Sequence, residues 1–305
     1  MIYYNLSMYI QIYIIFVNQL NIMEIKGSTN IVGLIGHPVE HSFSPPMHNA
    51  AFDKLGMDYA YVAFDVNPNN LKSAIKSGEA LNIKGFNVTI PHKINVMQFL
   101  DEIDEVASLI GAVNTIDFKN LKGYNTDGIG AIKAIEEVSS IKNKNIVVAG
   151  SGGASRAISF YLAKYGAESI TILNRNFDRA KSLASDITDS GLINEVIGDS
   201  ISKINDYSDN SDILIDTTPI GMHPNYDDEP IVRAENMHEG QVVFDAVYNP
   251  NETVLIKETI KAGAKPVYGI KMLLYQGAES FKIWTGRKPP IDEMEKALRQ
   301  TLNLE

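Results

Sequence analysis

No cysteine occurs in the 305-residue chain, so disulfides and thiol catalysis are excluded and a reducing compartment is permitted. Basic side chains are in the minority. The 27 Lys and Arg stand against 37 Asp and Glu, and the net charge of -10 argues against a nucleic-acid-binding surface while leaving room for a local basic pocket. Residues 1–23 contain no charged side chain at all. Asn5, Gln11, Asn18, Gln19 and Asn21 interrupt that stretch as a membrane span, and it has neither the basic start nor the small-residue cleavage site of a signal peptide. It reads as an upstream extension, with Met23 as the true start, and no stable membrane association is expected. Short repeats and low-complexity linkers are absent too. What remains, 45% hydrophobic and 21% charged, is ordinary for a globular protein with a full core, and 305 residues suggest two domains.

Apolar runs at 31–36, 59–64, 83–90 and 112–118 read as strands. A proline-bearing loop over 37–46 follows the first. Helices are expected at 47–55, at 70–77, and from Pro91 to about Ile110. This alternation implies an α/β unit with a largely parallel sheet. A helix at 129–138 bridges to a second half with strands at 146–149, 170–173, 195–197, 213–216, 242–245 and 266–268. That is the strand supply of a six-stranded doubly wound sheet, and helices at 271–285 and 291–302 close the chain.

The strand at 146–149 runs into Gly150-Ser151-Gly152-Gly153-Ala154-Ser155 and then a helix. A buried strand, a glycine turn and a helix form the dinucleotide-binding arrangement. The glycines permit the tight turn and let backbone amides reach a pyrophosphate at the helix N-terminus. The next strand ends in Asn174-Arg175, with Arg179 one helical turn on. An acidic residue there would bind ribose hydroxyls and repel a 2′-phosphate, whereas a guanidinium fork suits the phosphate, so NADP is expected over NAD.

Polar side chains gather elsewhere. Asn87 and Thr89, two apart, share one face at the end of a strand that Pro91 stops, and Lys93 can project over that end. Asn114 adds an amide, Asp127 a carboxylate, and Ser42 and Ser44 flank Phe43. Singly, such residues mostly satisfy backbone or face solvent. Together they suit a small polyhydroxylated molecule, with Lys93 and Asp127 as a proton-transfer pair. His37 and His41 lack the further ligands a metal needs, so no metal is expected. His92 is a candidate accessory beside Lys93.

The ordered motifs resemble the shikimate dehydrogenase family. They are Gly36-His37-Pro38, Ser42-Phe43-Ser44-Pro45, Gly85-Phe86-Asn87-Val88-Thr89-Ile90-Pro91-His92-Lys93, Gly111-Ala112-Val113-Asn114-Thr115 and Tyr124-Asn125-Thr126-Asp127-Gly128. After the glycine turn come Asn174-Arg175, Thr217-Thr218-Pro219-Ile220-Gly221-Met222, Asp245-Ala246-Val247-Tyr248-Asn249-Pro250 and Gly269 to Ala278.

The resemblance implies a cytoplasmic enzyme of aromatic (chorismate) biosynthesis that reversibly reduces 3-dehydroshikimate to shikimate with NADPH. It implies a mixed or parallel-sheet substrate domain over 29–126, after an extension at 1–28. A Rossmann domain follows over 127–268, and helices over 269–305 return to the first domain. Lys93 would be the general acid/base, paired with Asp127. Ser42, Ser44, Asn87, Thr89, Asn114, Asp127, Tyr248 and Gln276 would surround the substrate. Gly150, Ser151, Gly152, Gly153, Ala154, Asn174, Arg175 and Arg179 would hold NADP. Ala246, Gly269 and Met222 would line the nicotinamide pocket, with Glu105 a further cofactor contact. A monomer and a homodimer both fit. Two alternatives stay open: a quinate/shikimate dehydrogenase of broader specificity, and a non-catalytic sensor of shikimate-like acids.

Overall fold

The computed structural model describes residues 24–304, so the uncharged stretch at 1–23 lies outside the described residues. Two six-stranded sheets organise the chain. The first has strand order β2-β1-β3-β5-β6-β4. β1 (Asn30–Gly36), β2 (Tyr59–Asp65) and β3 (Gly85–Val88) run parallel, while β5 (Thr115–Asp117) pairs antiparallel with β3 and with β6 (Lys122–Tyr124). β4 (Glu102–Ile103) completes the edge beside β6. The sheet is therefore mixed, and β6 is a strand that the sequence pattern did not reveal.

Helix was also expected from Pro91 to Ile110. The chain instead makes a 3-10 turn over Asn95–Phe99, extends at Leu100, and forms a helix only at Glu105–Ile110. Backbone pairing decides this: Asp101 N–H donates to Leu121 O and Asp104 N–H to Gly123 O, so the segment closes the sheet edge. Asp104 then caps the short helix through Val106 N–H at 3.1 Å. The loop after β1 is shorter than expected. The helix Ser44–Lys54 takes Pro45 and Pro46 into its first turn, where proline costs no hydrogen bond.

The second sheet is wholly parallel, in the order β12-β11-β10-β7-β8-β9. It comprises β7 (Asn145–Ala149), β8 (Ser169–Asn174), β9 (Val196–Ser200), β10 (Ile213–Asp216), β11 (Val242–Asp245) and β12 (Lys265–Tyr268). Within this half the chain winds outward from β7 in both directions, the doubly wound Rossmann arrangement. Ile146, Val147, Val148 and Ala149 are all buried because both faces of the sheet are covered. The order reverses between β7 and β10, and the glycine turn follows β7 at that point.

The helices Gly269–Thr285 and Ile291–Thr301 pack back on the first sheet, sharing a core with Val32, Met47, Phe52 and Tyr61. Met294 and Leu298, four apart on one face, are fully buried there. Each contributes about 2 kcal/mol of transfer free energy. Trp284 Nε1–H donates to Ile116 O at 2.9 Å, locking the helix to β5. Gly130, on the helix Asp127–Glu136, has no room for a side chain: a Cβ there would lie 2.7 Å from Gln276 N. That close approach brings Gln276 beside Asp127's helix. Among the described residues no helix is long and apolar enough to cross a membrane.

Candidate active site

A cleft of about 370 Å³ lies between the two sheets, lined by Ser42, Ser44, Asn87, Thr89, Lys93, Asn114, Asp127, Tyr248 and Gln276. The eight residues expected around a substrate and the expected acid/base Lys93 thus line one space. Lys93 projects from the turn after β3, and its Nζ donates to Asp127 Oδ2 at 2.5 Å. Both are partly exposed, their side chains at 30% and 17%. Asp127 opens its helix, so its carboxylate sits at a positive helix end.

The frame behind this pair is buried and polar. Asn114 Nδ2 donates to Asp127 Oδ1 at 2.8 Å and to Thr126 Oγ1 at 2.9 Å, while Asn114 Oδ1 accepts Thr126 N–H at 2.7 Å. Asn87 Nδ2 lies 2.9 Å from Ser280 Oγ and 3.1 Å from Thr115 Oγ1, and its Oδ1 accepts from Tyr61 OH at 2.9 Å. The polar groups of Asn87 are thus engaged within the protein, more than an isolated substrate contact would need. Tyr61, Thr115, Thr126 and Ser280 escaped the sequence reading. Only Ser280 carried a signal, four residues after Gln276 and so on the same helical face.

His92 points away, its Nε2 2.7 Å from Val66 O on the buried side, and is no accessory to Lys93. His48 is wholly buried, stacked on Tyr61 at 4.5 Å, and among the described residues neither ring nitrogen has a hydrogen-bond partner. Burial lowers its pKa to about 3, so its neutral ring serves as packing behind Ser44.

A second cleft of about 500 Å³ is lined by Gly150, Ser151, Gly152, Asn174, Arg175, Arg179 and Met222. Gly150 adopts φ +105°, and a Cβ there would come within 2.3 Å of Thr217 Oγ1. Beyond it the turn is open, with nothing within 4 Å of a Cβ at Gly152 or Gly153. Ser155 Oγ ties the turn down by donating to Gly150 O at 2.8 Å. Gly153 begins the helix Gly153–Lys164, and no side chain caps that helix. Its first amides thus lack a side-chain acceptor, a fitting partner for phosphate oxygens.

Arg175 and Arg179 are exposed, and among the described residues neither guanidinium has an acidic partner. Asp186, a conceivable one, pairs with Arg156 instead. The donor set therefore suits a dinucleotide bearing an extra phosphate. Ala154, Thr217, Met222, Ala246 and Tyr248 line the space that joins the clefts, and Gly269 borders the first. Glu105, expected at the cofactor, is exposed in the first turn of its own helix and lines neither cleft.

Beneath the joining space lie Asp216 and Asp245, register partners at the ends of β10 and β11. Burial raises the pKa of Asp216 to about 8, helped by the charge of Asp245, and that of Asp245 to about 6. Asp216 holds Thr218 N–H at 2.8 Å and Asp245 holds Val247 N–H at 2.9 Å, anchoring the two loops that form the walls.

The same arrangement recurs in known proteins. Residues 34–116 match the shikimate dehydrogenase substrate binding domain, 133–264 match shikimate / quinate 5-dehydrogenase, and 269–299 match the shikimate 5'-dehydrogenase C-terminal domain. The chain is 71% identical over 280 residues to a shikimate dehydrogenase (NADP(+)) of Methanobrevibacter smithii, covering 92% of this chain and 100% of that one. The chain belongs to the shikimate dehydrogenase family.

Solved family members superimpose closely. A shikimate dehydrogenase in complex with NADP+ is 52% identical with a TM-score of 0.85, over 92% of this chain and 98% of its own. The shikimate 5-dehydrogenase of Listeria monocytogenes, in complex with shikimate and NAD, is 34% identical with a TM-score of 0.86, over 90% and 97%.

Proposed function

We propose that this protein catalyses the reversible NADPH-dependent reduction of 3-dehydroshikimate to shikimate, a step of aromatic (chorismate) biosynthesis, with Lys93 and Asp127 as the proton-transfer pair. The observation that carries this reading is the Lys93–Asp127 hydrogen bond inside a cleft lined by Ser42, Ser44, Thr89, Tyr248 and Gln276. Hydroxyl and amide groups around a proton donor match a polyhydroxylated ketone. Bound NADPH supplies the hydride, and Gly150, Gly152, Arg175 and Arg179 are the residues that would hold it.

Reduction turns the carbonyl π pair into an alkoxide, which needs a proton as it forms. Lys93 Nζ donates that proton, and solvent restores it. Asp127 holds the ammonium in place at one oxygen while Asn114 fixes the other. In the reverse direction Lys93 accepts the hydroxyl proton. Ala154, Ala246 and Tyr248 wall the reacting region and limit water there. Lys93, Asp127 and two arginines without an acidic partner among the described residues, Arg175 and Arg179, favour an enzyme over a ligand sensor, which needs no proton donor. We include a cytoplasmic location in the proposal, in keeping with a cysteine-free chain.

The test is absorbance at the NADPH band with purified protein, offering shikimate and quinate each with NADP and with NAD. Rapid turnover of shikimate with NADP is expected. No turnover in any combination would overturn the proposal and favour a sensor.

A further inference from the structure

We infer that Arg156 is a positioning residue for the Lys93–Asp127 pair, acting through the segment 109–114. The inference rests on the proton-transfer role proposed for that pair. Arg156 lies in the first turn of the helix that follows the glycine turn, two residues after Ala154. Its guanidinium leaves its own half of the molecule. Nε–H donates to Ile110 O at 2.5 Å and an Nη2 hydrogen to Leu109 O at 3.0 Å. These are terminal carbonyls of the helix Glu105–Ile110, which have no acceptor role within that helix. Asp186 holds the remaining nitrogen, and the group lies 5.1 Å from the centre of the Phe160 ring.

The residues just past the tether make it more than a staple. Gly111 turns the chain with φ 74°, and the next three residues each reach the pair. Ala112 O accepts from Asn125 Nδ2 at 3.0 Å, and Asn125 Oδ1 accepts the backbone N–H of Asp127 at 3.1 Å. Val113 N–H donates to Lys93 O at 2.8 Å. Asn114 donates to the Asp127 carboxylate at 2.8 Å. One guanidinium on the glycine-turn helix therefore fixes the segment that orients both partners. A shift of that helix would reach the pair directly.

Arg156→Lys keeps the charge but replaces a planar fork with a single head, which cannot hold two carbonyls and Asp186 together. We expect kcat to fall about ten- to a hundredfold, the size of a misplacement effect. KM for shikimate and for NADP should change far less than kcat, since Arg156 lines neither cleft and Asn114 is one substrate contact among several. The variant should carry the full isotope effect of rate-limiting hydride transfer with NADPH deuterated at C4. In the cofactor-free protein, amides 111–114 should exchange faster with solvent. Arg156→Met, which keeps only the apolar stem, should be worse. Asp186→Asn, which spares both carbonyl bonds, should retain kcat.

Normal kcat and unchanged amide exchange in Arg156→Lys would overturn the inference, even with a lowered melting temperature. Lys93→Met, assayed alongside, separates the two readings. An active Lys93→Met overturns the pair itself, whereas an inactive one beside a normal Arg156→Lys overturns only the role of Arg156.

Discussion

The side-chain amide of Asn114 donates to Asp127 Oδ1 at 2.8 Å, on the carboxylate whose other oxygen receives Lys93. Asn114 is itself held by Thr126 N–H and faces the cleft. It thus serves as a frame for Asp127 as well as a surface for substrate. Asn114→Ala should lower kcat about ten- to a hundredfold by releasing Asp127. Steady-state kinetics check this. A rise in KM for shikimate with kcat unchanged would make Asn114 a binding contact only.

The two glycines of the turn should behave differently. Gly150→Ala forces a side chain into φ +105° and against Thr217 Oγ1. A cost of about 1–3 kcal/mol in stability is expected, with weaker NADP binding. Gly152→Ala meets open space, so its stability should stay within about 0.5 kcal/mol of the parent while NADP affinity still falls. Thermal melts and NADP titration of both variants separate folding strain from cofactor clearance.

Arg175 has no acidic partner to satisfy among the described residues, so its charge is available to a 2′-phosphate. Arg175→Ala should weaken NADP at least tenfold, about the worth of one charge-assisted hydrogen bond to phosphate. NAD binding should hardly change. Equal losses for both cofactors, measured by titration, would remove the phosphate-binding role.

Asp216 gives stability a downward slope through neutrality that ends at about pH 8. Its folded pKa, about 8, lies above the unfolded value of 3.8, so the folded state holds the proton more tightly. That contribution is full at low pH and is lost as pH rises through 8. His48 works in the opposite sense but only below its unfolded value of 6.5, and the rise at Asp245 ends at about 6. Between pH 6.5 and 8 the parent should therefore lose stability, and Asp216→Asn should flatten that loss. Urea melts across this window measure it.

Much of this was legible beforehand because the determinants are local. The glycine turn, Arg175 and the strand-end Asn87, Thr89 and Lys93 each declare themselves within a few residues. Non-local pairing was not legible. β6 is three residues long and is stabilised by β4 and β5, so no pattern within it marks a strand. A helix is expected over residues 91–104, yet the sheet edge claims the backbone amides of Asp101, Glu102 and Asp104. Ser280 meets Asn87 across 193 positions of sequence, a contact that follows from the return of the closing helix. The reach of Arg156 is not legible either, because its partners, the carbonyls of 109 and 110, have no side-chain signature.

The most direct test of the central claim is the rate of Lys93→Ala, with substrate affinity measured separately by calorimetry. Proton transfer by Lys93 predicts a kcat lower by about two to four orders of magnitude. Shikimate affinity should change little, because the hydroxyl and amide lining remains. Near-normal turnover in Lys93→Ala would contradict the account, and the proton donor would then have to be sought elsewhere in the cleft.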